Sequence, residues 1–349
     1  MSAPRPVRVL VVDDSAFVRK VLRQVLSASP GIEVVDIALD GLDALEKIAR
    51  LQPDVITLDL MMPNLDGLGV LGALQREGAP RVIVVSNAEA DSELGVKALL
   101  GGAFDLVEKP TALATDRLFG LADELVRKVI AAGAVAAAAR VPGEAPRPAP
   151  PAPLGARAAS GRTRLVVVGT STGGPQALTR LLTVVPRDFP VPIVAALHIP
   201  SGYTESLARR LDEASAISVA EASDDLELRP GLAVIARGGT HLVVRRRLER
   251  TSVHFAQASA THAYCPSVDL LFTSAAAELG SSVLAVVLTG MGDDGLVGAR
   301  AIHKAGGRVL VESESSCVVY GMPRRVLEAG LAAAEAPIDQ MASLLLTHL

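Results

Sequence analysis

The stretch Val7-Arg8-Val9-Leu10-Val11-Val12-Asp13-Asp14 is an apolar run that ends in paired carboxylates, and Val18, Val21, Leu22, Val25 and Leu26 follow it at helical spacing. A short apolar run handing over to a 3.6-residue period is the pattern of one β/α unit of a parallel sheet. The unit recurs. IEVVDIA (32–38), DVITLDL (54–60), RVIVVS (81–86) and FDLVEKP (104–110) read as strands, with helical patterns over 42–51, 68–76 and 93–100. Five such units predict a doubly wound parallel sheet with helices on both faces.

The pattern breaks near Val129. From there to Arg162 the chain turns to Ala, Pro, Gly and Arg, with few large apolar side chains to offset the entropy of ordering. This reads as a linker, helical at its Ala-rich start. Strand-like runs then resume in RLVVVG, PIVAALHI, SSVLAVVLTG and GRVLVE, continuous enough for burial on both faces of a second parallel sheet. The stretch from Ser218 to His254 reads as β-hairpin material. The expected organisation is a domain over 1–127, a linker over 128–162 and a second domain over 163–349. The fold class is α/β, with two doubly wound parallel sheets, the first flavodoxin-like and the second Rossmann-like.

A length of 349 residues is consistent with two cores. With 34 basic and 38 acidic residues, a net charge of -4, no Trp, six Phe and three Tyr, the chain lacks the basic grooves and stacking platforms that nucleic acids require. Cys265 and Cys317 are too few for a disulfide framework or a thiolate zinc site, which suggests a reducing cytosol. The N-terminal run is broken by Arg8 and has no export pattern. The longest apolar run, Val129–Ala139, is far short of the ~20 residues of a membrane span. The expectation is a cytoplasmic protein with no nucleic-acid partner and no membrane insertion.

Ligands of open α/β sheets bind beyond the carboxyl ends of the strands. In the first domain those ends carry Asp13, Asp14, Asp59, Ser86 and Lys109. Three carboxylates beside one ammonium suit a divalent cation, with Mg2+ held by Asp13, Asp14 and Asp59. Asp59 would then be free to attack a phosphoryl group while Lys109 and the Ser86 hydroxyl attend the transferred oxygens. VLVVDDS, DVITLDLMMPNLDGL, VVS and EKP together resemble the receiver domain of bacterial response regulators. That resemblance implies a phosphoacceptor at Asp59, a metal site at Asp13 and Asp14, a switch hydroxyl at Ser86, a phosphate partner at Lys109 and a histidine kinase as phosphodonor.

In the second domain, VVVGTSTGGP (166–175) runs from a strand through a Gly-rich turn into a helix. It lacks the Gly-x-Gly-x-x-Gly spacing and the later acidic residue of a dinucleotide loop. The alternative is Ser171 as a nucleophile at a strand end, beside helix N-terminal N–H groups. The next predicted strand ends in His198, 27 residues on, and SVLAVVLTGMGDDG supplies Asp293 and Asp294 at a third strand end. Either aspartate would orient the imidazole. The order Ser, His, Asp differs from that of α/β-hydrolases, so the triad would be a separate occurrence.

GTSTGGP, LHIPSGYTESLARRL, LRPGLAVIARGGTHL, PSVDLLF, LTGMGDDGLVGARAI and SSCVVYGMP together resemble the catalytic domain of the CheB protein-glutamate methylesterases of bacterial chemotaxis. The resemblance implies Ser171 as nucleophile, His198 as base, Asp294 as its aspartate, and Thr172 and Met291 lining the site near the oxyanion, with no cofactor for the esterase. It further implies methyl-accepting chemotaxis receptors as substrates, deamidation of receptor glutamines, and an unphosphorylated receiver that covers the catalytic crevice. The match departs from the family at Ala236-Arg237-Gly238 and over His262–Cys265. A second reading, a non-enzymatic response regulator whose C-terminal domain binds a partner, is separated from the first by the Ser171→Ala variant.

Overall fold

The apolar runs that end in acidic or hydroxyl groups become the central strands of two parallel sheets in the computed structural model, which describes residues 5–75, 78–109, 115–140, 163–257 and 264–349. Arg76, Pro110, His262 and the linker residues 141–162 lie outside the described residues. Two compact units are present, Met1–Gly143 and Glu144–Leu349.

In the first unit the elements are β1 (Val7–Val12), α1 (Ala16–Ser27), β2 (Ile32–Ala38), α2 (Gly41–Leu51), β3 (Val55–Leu58), α3 (Gly67–Ala73), β4 (Arg81–Ser86), α4 (Ala88–Leu100), β5 (Asp105–Glu108) and α5 (Thr115–Arg140). The strand order is β2-β1-β3-β4-β5, all parallel. Strand order therefore reverses between β1 and β3, and the crevice at that point lies between the residues that follow them, Asp13 and Asp59. Side chains capable of capping start the helices: Ser15 accepts from Val18 N–H at α1 and Asp40 from Asp43 N–H at α2. The Ala-rich start of the expected linker is the end of α5, whose Val129, Ala132 and Ala136 are buried.

The second unit contains β6 (Leu165–Thr170), α6 (Gly174–Leu182), β7 (Ile193–Leu197), α7 (Thr204–Ala214), β8 (Ser218–Glu221), β9 (Leu226–Glu227), β10 (Leu232–Ile235), β11 (His241–Arg247), β12 (Arg250–Ala256), α8 (Val268–Leu279), β13 (Val283–Val287), α9 (Leu296–Lys304), β14 (Arg308–Glu312), α10 (Met322–Glu328), β15 (Ala334–Ala336) and α11 (Ile338–Thr347). Seven strands form a parallel sheet in the order β15-β14-β13-β6-β7-β10-β8. Here the reversal falls between β6 and β13, so Ser171 and the turn from Thr289 to Asp294 open onto one crevice.

The reading of 218–254 as hairpin material holds only in part. β11 and β12 are an antiparallel hairpin, with β9 beside β12. β8 and β10 instead extend the parallel sheet. Leu232, Ala233, Val234 and Ile235 are all buried, so β10 is covered on both faces, the condition that favours parallel pairing.

Candidate functional site

Three carboxylates meet at the carboxyl edge of the first sheet. The ligand atoms of Asp13, Asp14 and Asp59 lie within 4.8 Å of one another. Asp13 and Asp59 are fully buried and Asp14 is exposed. Lys109 Nζ lies 2.7 Å from Asp59 Oδ2 and 3.2 Å from Asp13 Oδ2. One oxygen of each buried carboxylate is satisfied by backbone, Asp13 Oδ1 by Ser15 N–H and Asp59 Oδ1 by Met61 N–H. Among the described residues the other oxygens make no well-directed hydrogen bond, and both lie against the Lys109 ammonium. Burial lifts both carboxyl groups above the usual carboxylate range, with Lys109 opposing the rise. Burial pulls Lys109 down as well, but its two carboxylate neighbours outweigh that and hold it above an ordinary lysine. Hard oxygen donors with negative charge in excess of one ammonium fit a small divalent cation such as Mg2+.

Ser86 ends β4 as expected, and its hydroxyl donates to Asp91 Oδ2 at 3.0 Å. Asp91 sits at a kink in α4 with φ −124° and ψ 16°, and it also accepts the N–H of Asn87. Sequence reading missed Asp91, because an acidic residue in an otherwise helical pattern carries no sign that the helix bends there.

The second unit brings the nucleophile candidate and its base candidate together through backbone pairing. β6 and β7 run side by side with Thr170 opposite Leu197, so the next residues, Ser171 and His198, leave adjacent strands at the same level. The N–H of His198 donates to the carbonyl of Thr170 at 3.2 Å. Gly173 begins α6 at φ +81°, in the left-handed region, where a Cβ would fall 2.7 Å from Val318. Gly290 is required by closeness, since a Cβ there would sit 2.9 Å from Ser171 Cβ and 2.4 Å from Met322 Sδ. Met291 follows it, half-buried in the same turn, and Thr172, next to Ser171, is buried.

The residue pattern alone left Asp293 and Asp294 as alternatives and the family resemblance implied Asp294; their geometry differs. Asp293 is exposed, whereas Asp294 is 7% exposed and its Oδ2 lies 2.8 Å from His198 Nε2. Asp294 also accepts from Val268 N–H (2.7 Å), Asp269 N–H (2.8 Å) and Ser267 Oγ (3.2 Å). Burial raises its pKa, but the His198 contact and these backbone donors more than reverse that, and the carboxyl stays below its ordinary range. An ionised carboxylate only accepts, so the proton in the His198 contact resides on Nε2. The other nitrogen, Nδ1, is buried and has no hydrogen-bond partner among the described residues.

Two further groups complete this site. The Tyr264 ring stacks on His198 at 4.3 Å between centroids and 7° between planes. Asp269, pushed up to about 6 chiefly by burial, caps α9 by accepting from Gly295 N–H (2.9 Å) and Gly298 N–H (2.7 Å). PSVD, quoted in the sequence reading only as part of a family motif, holds this Asp269. The Arg237 departure is an exposed side chain just past β10, whose Nε meets Glu221 Oε2 at 3.1 Å and whose guanidinium sits 6.0 Å from the Phe255 ring centre.

Comparison with known proteins assigns both units. The family model described as CheB methylesterase matches residues 166–345, and that of the response regulator receiver domain matches residues 9–119. The protein-glutamate methylesterase/protein-glutamine glutaminase 5 of Myxococcus xanthus is 61% identical over 350 residues, covering 100% of this chain and 99% of that protein. A protein-glutamate methylesterase/protein-glutamine glutaminase of Symbiobacterium thermophilum is 42% identical, covering 97% of this chain and 96% of that protein. The crystal structure of the Thermotoga maritima CheB methylesterase catalytic domain aligns with a TM-score of 0.53 and 38% identity, over 54% of this chain and 100% of that one.

Proposed function

Because this chain belongs to the CheB methylesterase family and carries a response regulator receiver domain ahead of the matched region, we propose that it hydrolyses glutamate γ-methyl esters on methyl-accepting chemotaxis receptors under control of Asp59 phosphorylation. The same machinery deamidates receptor glutamines. The observation that carries this reading is the His198–Asp294 contact beside Ser171, with the second imidazole nitrogen uncommitted.

In this reading His198 Nδ1 takes the proton of Ser171 Oγ as that oxygen forms its bond to the ester carbonyl carbon. Nε2–H stays on Asp294, whose charge stabilises the imidazolium. The tetrahedral intermediate collapses, the C–OCH3 bond breaks, and the Nδ1 proton leaves with methanol. Water then attacks the acyl-enzyme, giving its proton to His198, and Ser171 is released with a glutamate side chain. With glutamine the leaving group is ammonia. N–H groups of the turn around Thr172, beside Met291, would face the developing oxyanion.

In the receiver, Asp59 takes the phosphoryl group from a histidine kinase. Asp13, Asp14 and Asp59 would hold Mg2+, whose charge offsets that of the phosphoryl oxygens. Lys109, already on Asp59 and Asp13, would shift to the phosphorylated side chain, and Ser86 would exchange Asp91 for a phosphoryl oxygen. Such a phosphorylation biases a two-state element through differential contacts, and the output is esterase rate.

The test is methanol release from methylated receptor membranes, with and without a small phosphodonor and Mg2+. Release that rises with phosphodonor and vanishes in folded Ser171→Ala is expected. No release under either condition would remove the methylesterase reading and favour a partner-binding output domain.

A further inference from the structure

We propose that Thr289 is a positioning residue for the nucleophile turn and is itself held in place by Glu312. The inference rests on the reading of Ser171 as nucleophile. Thr289 lies just past β13, across the strand-order reversal from Ser171, and is 1% exposed. Its carbonyl accepts the N–H of Ser171 at 3.1 Å and the hydroxyl of Thr170 at 2.7 Å. Its own hydroxyl lies 3.0 Å from the carbonyl of Thr172, with Val319 O a longer alternative at 3.3 Å, and accepts the N–H of Val319 at 3.0 Å. One residue thereby binds three consecutive residues around the nucleophile.

These contacts fix peptide planes. The peptide joining Thr170 and Ser171 is held at both ends, its carbonyl by His198 N–H and its N–H by Thr289 O. The peptide joining Thr172 and Gly173 has its carbonyl turned toward Thr289 Oγ1. A trans peptide is planar, so the N–H of Gly173 points away from Thr289. Removing the hydroxyl frees that plane to rotate just where N–H direction matters for an oxyanion.

Glu312 anchors the anchor. It ends β14, is 1% exposed, and accepts Thr289 N–H with Oε2 and Ser316 Oγ–H with Oε1, both at 2.8 Å. Ser316 Oγ in turn accepts the N–H of Ile338, tying the chain to α11. A buried carboxylate needs its donors, so this network holds one geometry of Thr289.

The test compares Thr289→Val, which keeps the volume but lacks the hydroxyl, with Thr289→Ser, which keeps the hydroxyl. Steady-state methanol release from a γ-methyl ester substrate is measured with the full chain below each melting temperature. Thr289→Val is expected to lower kcat about 10- to 100-fold with KM within about twofold, and Thr289→Ser to restore most of kcat. Wild-type kcat in Thr289→Val, or equal losses in both variants, overturns the proposal. Should Thr289→Val fail to fold, the Glu312 pair decides: Glu312→Gln keeps an acceptor for Thr289 N–H and should stay close to wild type, while Glu312→Ala should lose kcat at constant KM. Wild-type kcat in Glu312→Ala likewise overturns it. Ser171→Ala is run alongside. Activity that survives in Ser171→Ala removes the nucleophile reading itself, whereas an inactive Ser171→Ala beside a fully active Thr289→Val removes only the positioning role.

Discussion

His198 Nε2 lies 2.8 Å from Asp294 Oδ2, and the same carboxylate is clamped by the N–H groups of Val268 and Asp269 and the hydroxyl of Ser267. The imidazole is thus oriented by a group that is itself immobile. This leaves Nδ1 as the nitrogen available to Ser171.

Asp294→Asn should lower kcat by roughly 10^3- to 10^4-fold, because the amide offers a donor where His198 needs an acceptor and so favours the wrong tautomer. It should also cost about 1–3 kcal/mol of stability, since one amide oxygen cannot satisfy the donors that two carboxylate oxygens now accept. Steady-state kinetics and thermal unfolding check both parts.

Tyr264→Ala should lower kcat by about tenfold through loss of the ring that limits His198 rotation, while Tyr264→Phe, which keeps the stack, should stay within about twofold of wild type. Equal losses in the two variants would assign the effect to the phenol hydroxyl instead.

Asp269 makes stability pH-dependent with a definite sign. Its carboxyl is raised from 3.8 to about 6 in the folded protein, so its stabilising contribution is complete below about pH 4 and is lost as pH rises through 6. The loss is at most about 3 kcal/mol and is smaller after solvent screening. Asp294 has the opposite sign, its contribution present above pH 3.8 and lost below it, so it adds little slope in the pH 4–6 window. Denaturant titrations of the second unit across pH 4–7 should show this decline, and Asp269→Asn should flatten it.

In the receiver, Mg2+ should raise the melting temperature of the first unit, by about 2.7 kcal/mol in stability at a hundredfold excess over Kd. Asp13→Asn should abolish most of that shift, having lost the negative charge of a buried carboxylate whose Oδ2 lies 3.2 Å from Lys109 Nζ. Calorimetric scans with and without the ion read this directly.

Removing residues 1–160 should raise basal methanol release if the receiver restrains the second unit. The remaining segment has its own seven-stranded sheet and core, and it aligns with a catalytic domain solved alone. A folded truncated protein with unchanged or lower activity would count against such restraint.

Much of the fold was legible in the chain because both sheets are parallel and buried: Val9–Val12, Val166–Val168 and Val283–Val287 are apolar on both faces and end in the polar groups that matter. The hairpin reading of β8 and β10 failed because a short apolar strand carries no mark of its pairing partner, which is chosen by the neighbours that cover it. Ser171, His198, Asp59 and Lys109 could be placed at the carboxyl edges of the sheets from sequence alone, since each stands at the carboxyl end of a predicted strand and strand ends converge at the strand-order reversal.

What sequence alone determined is thus which residues stand at the carboxyl edges of the two sheets. Only the tertiary structure put Asp294 in contact with His198, stacked Tyr264 on His198, gave Ser86 to Asp91, and bound Thr289 to three residues of the turn that holds Ser171. The physical reason is range. Periodicity and capping act over a few residues and so can be read along the chain. A hydrogen bond between residues more than a hundred positions apart, such as Thr170 to Thr289, depends on strand order and register, which exist only once the sheet has formed.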